Sequence, residues 1–170
     1  MNKEIWKDAI GYKGYYQVSN LGNVRSIERK VKTGRKKGRV VPAQLMKARI
    51  LNTGYFVVDL QKNNQRKTCK VHRLVALAFM PNPLYKFEVN HKNGNKLDNR
   101  LHNLEWVSKS ANTRHALLMG LKKTKVTPLQ VKKVRSFYIQ GMNQKLIANL
   151  LGITRPQVSH ILTSRSWSFI

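Results

Sequence analysis

Between Glu88 and His115 the chain reads EVNHKNGNKLDNRLHNLEWVSKSANTRH, and this stretch leaves little freedom in how the middle of the protein folds. Lys92 to Leu101 is dense in Asn, Asp, Gly and Lys. Short amide and carboxylate side chains bond nearby backbone and tolerate unusual dihedrals, so this segment is predicted to be a loop. On its two sides lie short strand-like pieces; Leu104 to Val107 alternates Leu and Trp around Glu105, as a strand with one buried face would. Ser108 then stands at an N-cap position ahead of KSANTRHALLM, and Gly120 is the expected stop. From that start Asn112 lies one turn in, and His115 follows at i+3 on the same face. The predicted unit is strand, loop, strand, helix, carrying Asn90, His91, Asn103, Asn112 and His115.

That arrangement resembles the HNH nuclease family, the ββα-metal or His-Me finger group, in its phage and intron homing form. The residues that carry the resemblance are Asn90-His91, the loop NGNKLDNRLHNLEW, and Asn112 with His115. The resemblance implies a DNA endonuclease with one Mg²⁺ or Mn²⁺ per active site. Imidazole has an ordinary pKa of about 6.5 and can take a proton from water at neutral pH, so His91 is the expected general base. Asn90 and Asn112 offer amide oxygens to the cation. Asn103 is the middle residue of the motif and is expected to tie the loop and hold His91 in place. His115 is either a further ligand or a donor to the phosphate, or else a capping or packing group. Many family members carry Asp before the His and some carry Asn, as here. Without a carboxylate at position 90, metal binding is expected to be weak in the free protein and to tighten on DNA. Glu88 and Glu105 read as exposed strand positions, and His102 as a surface residue.

Charge points the same way. The 170 residues hold 33 Lys and Arg against 7 Asp and Glu, a formal net charge of +26. No acid occurs after Glu105. So lopsided a balance repels itself unless a polyanion neutralises it, and phosphate contacts release counterions and drive binding. Double-stranded DNA with a long asymmetric site is the expected partner, bound by a monomer. The sequence has no apolar run near the length of a membrane span and no signal-peptide core at its start, so a cytoplasmic location is expected. Cys69 is the single cysteine, which excludes intramolecular disulfides and Cys-based zinc sites.

Ile5 to Arg25 is rich in Gly and aromatics and is predicted to form a small β module, with Trp6, Tyr12 and Tyr16 in its core. It resembles the module found ahead of phage and intron HNH nucleases. Arg29 to Arg39 has seven Lys or Arg among eleven residues, and reads as a mobile basic loop or the tip of a long hairpin. Its Arg29, Lys30, Arg35, Lys36, Lys37 and Arg39 are candidate phosphate contacts. Strands over Tyr55 to Leu60 and Gln65 to Val71 flank a turn and make a hairpin. A two-stranded ribbon fits the major groove, so Gln61, Lys62, Arg66, Lys67 and Lys70 are further DNA candidates. His72 to Met80 reads as a short apolar helix, with His72 a hydrogen-bonded structural residue.

After a basic linker, Thr127-Pro128 opens an amphipathic helix carrying Leu129, Val131, Val134, Phe137 and Tyr138 on its inner face. Asn143 caps QKLIANLL, Gly152 turns the chain, and Thr154 caps RPQVSHIL. This order resembles a helix-turn-helix, with Ile147, Leu151, Ile153, Val158 and Ile161 facing inward. Its recognition helix would expose Arg155, Gln157, Ser159 and His160 to the major groove.

The expected fold class is α+β, with three regions: a basic β module over 1–52, a hairpin and nuclease core over 53–119, and a linker with helix-turn-helix over 120–170. The expected function is site-specific, metal-dependent DNA cleavage, nicking one strand. The alternative is a DNA-binding regulator with a degenerate core. A ribosomal protein accounts for the charge but not for the motif.

Overall fold

A computed structural model describes residues 3–31, 38–82 and 84–170. Arg35, Lys36 and Lys37 lie outside these. The fold is α+β, as expected, and divides into two compact units, 1–109 and 110–170.

The first unit is built from short antiparallel strands. β1 (Trp6–Asp8), β2 (Tyr16–Ser19), β3 (Val24–Ser26) and β6 (Gln44–Leu45) form one sheet in the order β1-β2-β3-β6. Between β3 and β6 the basic segment enters and leaves as a ribbon, β4 (Arg29–Val31) on β5 (Arg39–Val41). β7 (Arg49–Ile50), β8 (Phe56–Lys62) and β9 (Gln65–Lys70) make a second sheet. Its hairpin turns on Asn63 and Asn64, both left-handed with φ of 50° and 60°. Asn tolerates that region better than other L-residues, and two such residues in succession match the twist of the flanking strands.

α1 (Val71–Phe79) follows β9 without a loop and lays Val71, Leu74, Val75 and Ala76 onto both sheets. Then come β10 (Glu88–His91) and β11 (Leu104–Val107), antiparallel, joined by the polar loop and a 3₁₀ turn at Leu101–Asn103. One apolar cluster runs through all of it, from Ala9, Tyr16 and Val18 through Val58 and Leu60 to Val89 and Leu104. The expected boundary near residue 52 is therefore no break in packing. None of the sheets is large enough to close its own core, so they share α1 as a common cover.

The second unit holds α2 (Lys109–Leu118), α3 (Pro128–Ile139), α4 (Gln144–Leu151) and α5 (Arg155–Leu162). Thr127, Asn143 and Thr154 are N-caps as expected, and the two threonines form full capping boxes with Gln130 and Gln157. Gly152 closes α4 with φ 64°, where a β-carbon would be strained, and sends the chain into α5. Val131, Val134, Ile147, Ala148, Val158 and Ile161 are buried together, with Leu151 and Ile153 packed at the edge. Leu129 and Tyr138 depart from the expected pattern: they are 63% and 49% exposed. The buried stripe of α3 is narrower than its apolar residues suggest: Val131 and Val134 are its buried residues, on the side that meets α4 and α5.

Candidate active site

β10 runs into the polar loop at His91. In the β10–β11 register Asn90 lies opposite Glu105 and His91 opposite Leu104. Asn90, His91 and Asn103 are all buried, so the hairpin brings three of the expected site residues together.

Asn103 ties the loop to its exit strand. Its Oδ1 accepts from the Asn93 backbone N–H at 3.0 Å, and its Nδ2 donates to Asn93 Oδ1 at 3.0 Å and to the Asp98 carbonyl at 2.8 Å. Asp98 is itself held by Arg100 through two contacts of 2.7 Å. The guanidinium beside it pulls the Asp98 carboxyl down to about 2. The polar loop is thus fastened at its centre by an Asn, an ion pair and local turns.

The residue that touches His91 is Asn99, not Asn103. Asn99 Oδ1 lies 3.4 Å from His91 Nε2, a long contact, while Asn99 Nδ2 donates to the Leu97 carbonyl at 3.2 Å. A carbonyl only accepts, so the Asn99 amide has one orientation and its oxygen faces the imidazole. That orientation favours the tautomer of neutral His91 with its proton on Nε2, which leaves Nδ1 as the ring's acceptor. Asn99 escapes a sequence reading because Asn93, Asn95, Asn99 and Asn103 stand close together in similar polar context, and only the fold decides which of them faces the imidazole.

Behind His91 stands a ring cluster. His72 lies edge-on to it with centroids 5.0 Å apart, and Tyr55 tilts against both at 4.8 Å and 6.0 Å. The expectation of a hydrogen-bonded His72 needs correction, since its Nδ1 is buried with no partner among the described residues. Burial pushes His72 down to about 3, and burial is also the main cause that lowers His91, against a raising contribution from Asn99. Lys70 and Lys96 place their ammonium groups over the Tyr55 ring, at 4.7 Å and 4.8 Å.

Glu105 is half-buried rather than exposed, and accepts from Asn90 Nδ2 at 2.8 Å. Asn112 and His115 lie on α2 of the second unit, three residues apart as expected, and no residue of that helix is buried.

Of the candidate DNA contacts in the first unit, Gln61, Arg66 and Lys70 share one face of the β8–β9 ribbon, and the pairing puts Lys67 and Lys62 on the other. Lys62 is half-buried and donates to the Gly11 carbonyl at 2.8 Å; Arg66 pairs with Asp59 at 2.9 Å. Arg29 packs its guanidinium against Tyr15 and Tyr16 instead of standing free in a loop. Lys30 and Arg39 are exposed. Trp6 is not a core residue: Arg25 stacks on it at 4.2 Å. In the second unit Arg155 and His160 are exposed and Ser159 half-buried, while the Gln157 side-chain oxygen is engaged by Thr154 as a cap.

Comparison with known proteins gives the same assignment. The NUMOD4 motif matches residues 4–61, and an HNH endonuclease family model matches residues 69–114. The DNA endonuclease I-HmuI of Bacillus phage SP01 is 34% identical over 167 residues, spanning 92% of this chain and 88% of that protein. The chain belongs to the HNH homing endonuclease family, a family of DNA endonucleases. An uncharacterised HNH endonuclease of Acanthamoeba polyphaga mimivirus is 39% identical over 126 residues. This chain spans only 32% of that relative's length. A solved structure of DNA binding and cleavage by the HNH homing endonuclease I-HmuI superposes with a TM-score of 0.57 at 30% identity, covering 95% of this chain and 91% of that one.

Proposed function

We propose that this HNH protein hydrolyses phosphodiester bonds in duplex DNA with the help of a divalent cation, cutting one strand as a monomer, and that His91 is its general base. The observation that carries this reading is the contact of His91 Nε2 with Asn99 Oδ1. With Nε2 turned to Asn99, Nδ1 is the nitrogen available to accept a proton from a water attacking phosphorus. Burial, which lowers the His91 pKa, keeps the ring in its neutral, accepting form at neutral pH and somewhat below.

The residues present suit a hard cation. Among the described residues no group of three or more His, Cys, Asp or Glu is placed to hold a metal, so a soft or zinc-type centre is not favoured. Amide oxygens suit Mg²⁺ or Mn²⁺, and these are held by few protein ligands with substrate phosphate completing the shell. Asn90 would hold the cation through its Oδ1, with Asn112 the family's second ligand and His115 a donor to the phosphate. Such a cation, when bound, supplies neutralisation of charge on the phosphate and on the departing oxygen. Asn103 acts at one remove, keeping the loop closed so that Asn99 and His91 stay in register.

The DNA is read, in this proposal, by α5 of a C-terminal helix-turn-helix through Arg155, Ser159 and His160, and by the β4–β5 and β8–β9 ribbons in the N-terminal unit. With one base and one cation, cutting is confined to one strand at a time.

The test is a supercoiled plasmid bearing a candidate target, incubated with wild type or His91→Ala, in Mg²⁺ or in EDTA. Relaxed circles are expected only with wild type and metal, with loss of the base costing roughly 10²- to 10⁴-fold in rate. Binding of the fragment by both proteins with cutting by neither would favour a DNA-binding regulator instead.

A further inference from the structure

The pair formed by Asn90 and Glu105 goes beyond the metal-dependent reading above, on which it rests. The two residues are directly opposite in the β10–β11 register, and the Asn90 amide donates through Nδ2 to Glu105 Oε1 at 2.8 Å. An ionised carboxylate has no proton to give, so the amide can face it only through nitrogen. Turning Asn90 over would set oxygen against oxygen in a half-buried site. Glu105 therefore dictates which way the Asn90 oxygen points, namely away from itself.

Like Asp8 and Glu4, which accept from the Gln17 and Asn23 amides, this carboxylate is met by a neutral amide and not by a cation. Asp59 is matched by Arg49 and Arg66, and Asp98 by Arg100. Among the described residues, no ion pair engages Glu105, whose hydrogen-bond partner is a neutral amide. What sets Glu105 apart is its place: in a chain with a formal charge of +26 it stands, not cancelled by Lys or Arg among the described residues, beside the amide proposed as a metal ligand.

We infer that Glu105 is a positioning residue for the divalent cation: it aims the Asn90 oxygen at the metal and supplies, from behind a neutral ligand, the negative charge that ligand lacks. Hydrogen-bonded partners of metal ligands act in this manner, fixing orientation and raising ligand basicity. Two amide ligands alone would leave a dication without any protein counter-charge. Placing the charge on Glu105 keeps it close to the cation while leaving the inner position to a small neutral group that does not repel the DNA phosphate.

Two substitutions separate this role from ordinary packing. Glu105→Gln keeps the shape and an acceptor oxygen but removes the charge and frees the Asn90 amide to turn. Asn90→Asp adds a carboxylate to the ligand position but sets it against Glu105. In the N90D/E105Q double variant the carboxylate introduced on β10 accepts from the amide introduced on β11, so the charge is exchanged between the two strands and the hydrogen bond is restored.

The measurement is Mn²⁺ affinity by electron paramagnetic resonance, with each full-length protein saturated by an uncleavable phosphorothioate duplex, alongside melting temperature and duplex affinity. Glu105→Gln is expected to bind Mn²⁺ about 10- to 100-fold more weakly, with duplex affinity little changed, and the double variant to recover most of the loss. Mn²⁺ binding by Glu105→Gln equal to wild type, or a double variant no better than Glu105→Gln, overturns the inference while the metal-dependent reading stands. Failure of the wild-type complex to bind Mn²⁺ overturns both.

Discussion

His72 occupies an unusual position for a titratable side chain. It is 4% exposed, its Nδ1 has no partner among the described residues, and its ring packs edge-on against His91. An unsatisfied buried nitrogen costs about 1–3 kcal/mol, yet a protonated ring there would cost more, since burial and the charges of His91, Lys70 and Arg73 all oppose it. The folded state therefore holds His72 neutral down to about pH 3, whereas in the unfolded chain the ring protonates at about 6.5. As pH falls between those limits the unfolded chain takes up a proton that the fold refuses, so stability is lost from the upper value downward and the loss ceases near the lower one. The slope approaches ~1.4 kcal/mol per pH unit for one such group, and His91, also lowered, adds to it with the same sign. Thermal melts should show a melting temperature that drops steadily from about pH 7 to about pH 4. In His72→Phe, which retains an aromatic ring and removes the titration, the drop should be shallower; an unchanged slope would mean that His72 is not a source of acid sensitivity.

At the scale of elements, the site depends on a turn far away in sequence. Gly22, between β2 and β3, has φ +89°, and a β-carbon built on it would lie 2.9 Å from Asn99 Cβ and 3.2 Å from the Asn99 carbonyl oxygen. Next to it, the Asn20 carbonyl accepts from the Leu101 backbone N–H at 2.8 Å. The NUMOD4 segment is thus pressed backbone to backbone on the loop that orients His91. A cleft of about 480 Å³ opens beside this contact, lined from both sides by Gly22, Asn23, Leu97 and Arg100. Gly22→Ala combines a backbone conformation that L-residues resist with a clash against atoms that cannot swing away. A stability loss of about 1–3 kcal/mol is expected by denaturant titration, together with slower cleavage as Asn99 is displaced. Wild-type rates in a fully folded Gly22→Ala protein would show that the module does not support the loop.

For the whole molecule the decisive quantity is charge. With 33 basic residues spread over both units and none of the seven acids beyond Glu105, binding to DNA should be dominated by counterion release. The logarithm of the binding constant should fall linearly with the logarithm of salt concentration. For six to ten phosphate contacts the affinity falls roughly 10³- to 10⁵-fold between about 50 and 200 mM salt. Arg155→Ala, at the exposed start of α5, separates two roles. If Arg155 binds a phosphate, its removal lowers the slope by about one and weakens all sequences alike; if it reads a base, removal costs about 1–3 kcal/mol and relaxes specificity at one position. Fluorescence anisotropy over a salt series, with a target-like and an unrelated duplex, distinguishes them.

Local rules account for much of this protein. Turn chemistry in NGNKLDNR, the caps at Thr127, Asn143 and Thr154, the Gly152 turn and the spacing of His91, Asn103, Asn112 and His115 are all written within a few residues of where they act, so strand, loop and helix order could be read directly. What the fold alone decided are pairings between residues distant along the chain. Which asparagine of the loop faces His91 depends on the backbone of Gly22 pressing on Asn99. That Glu105 meets Asn90 depends on a strand register, and a slip of one residue would have turned it to the other face. His72 reaches His91 because α1 packs under β10, and Leu129 and Tyr138 are exposed because they lie off the side of α3 that meets α4 and α5. Periodicity reports that a residue has an inward or outward side; what stands opposite is set by long-range packing, which no local pattern encodes.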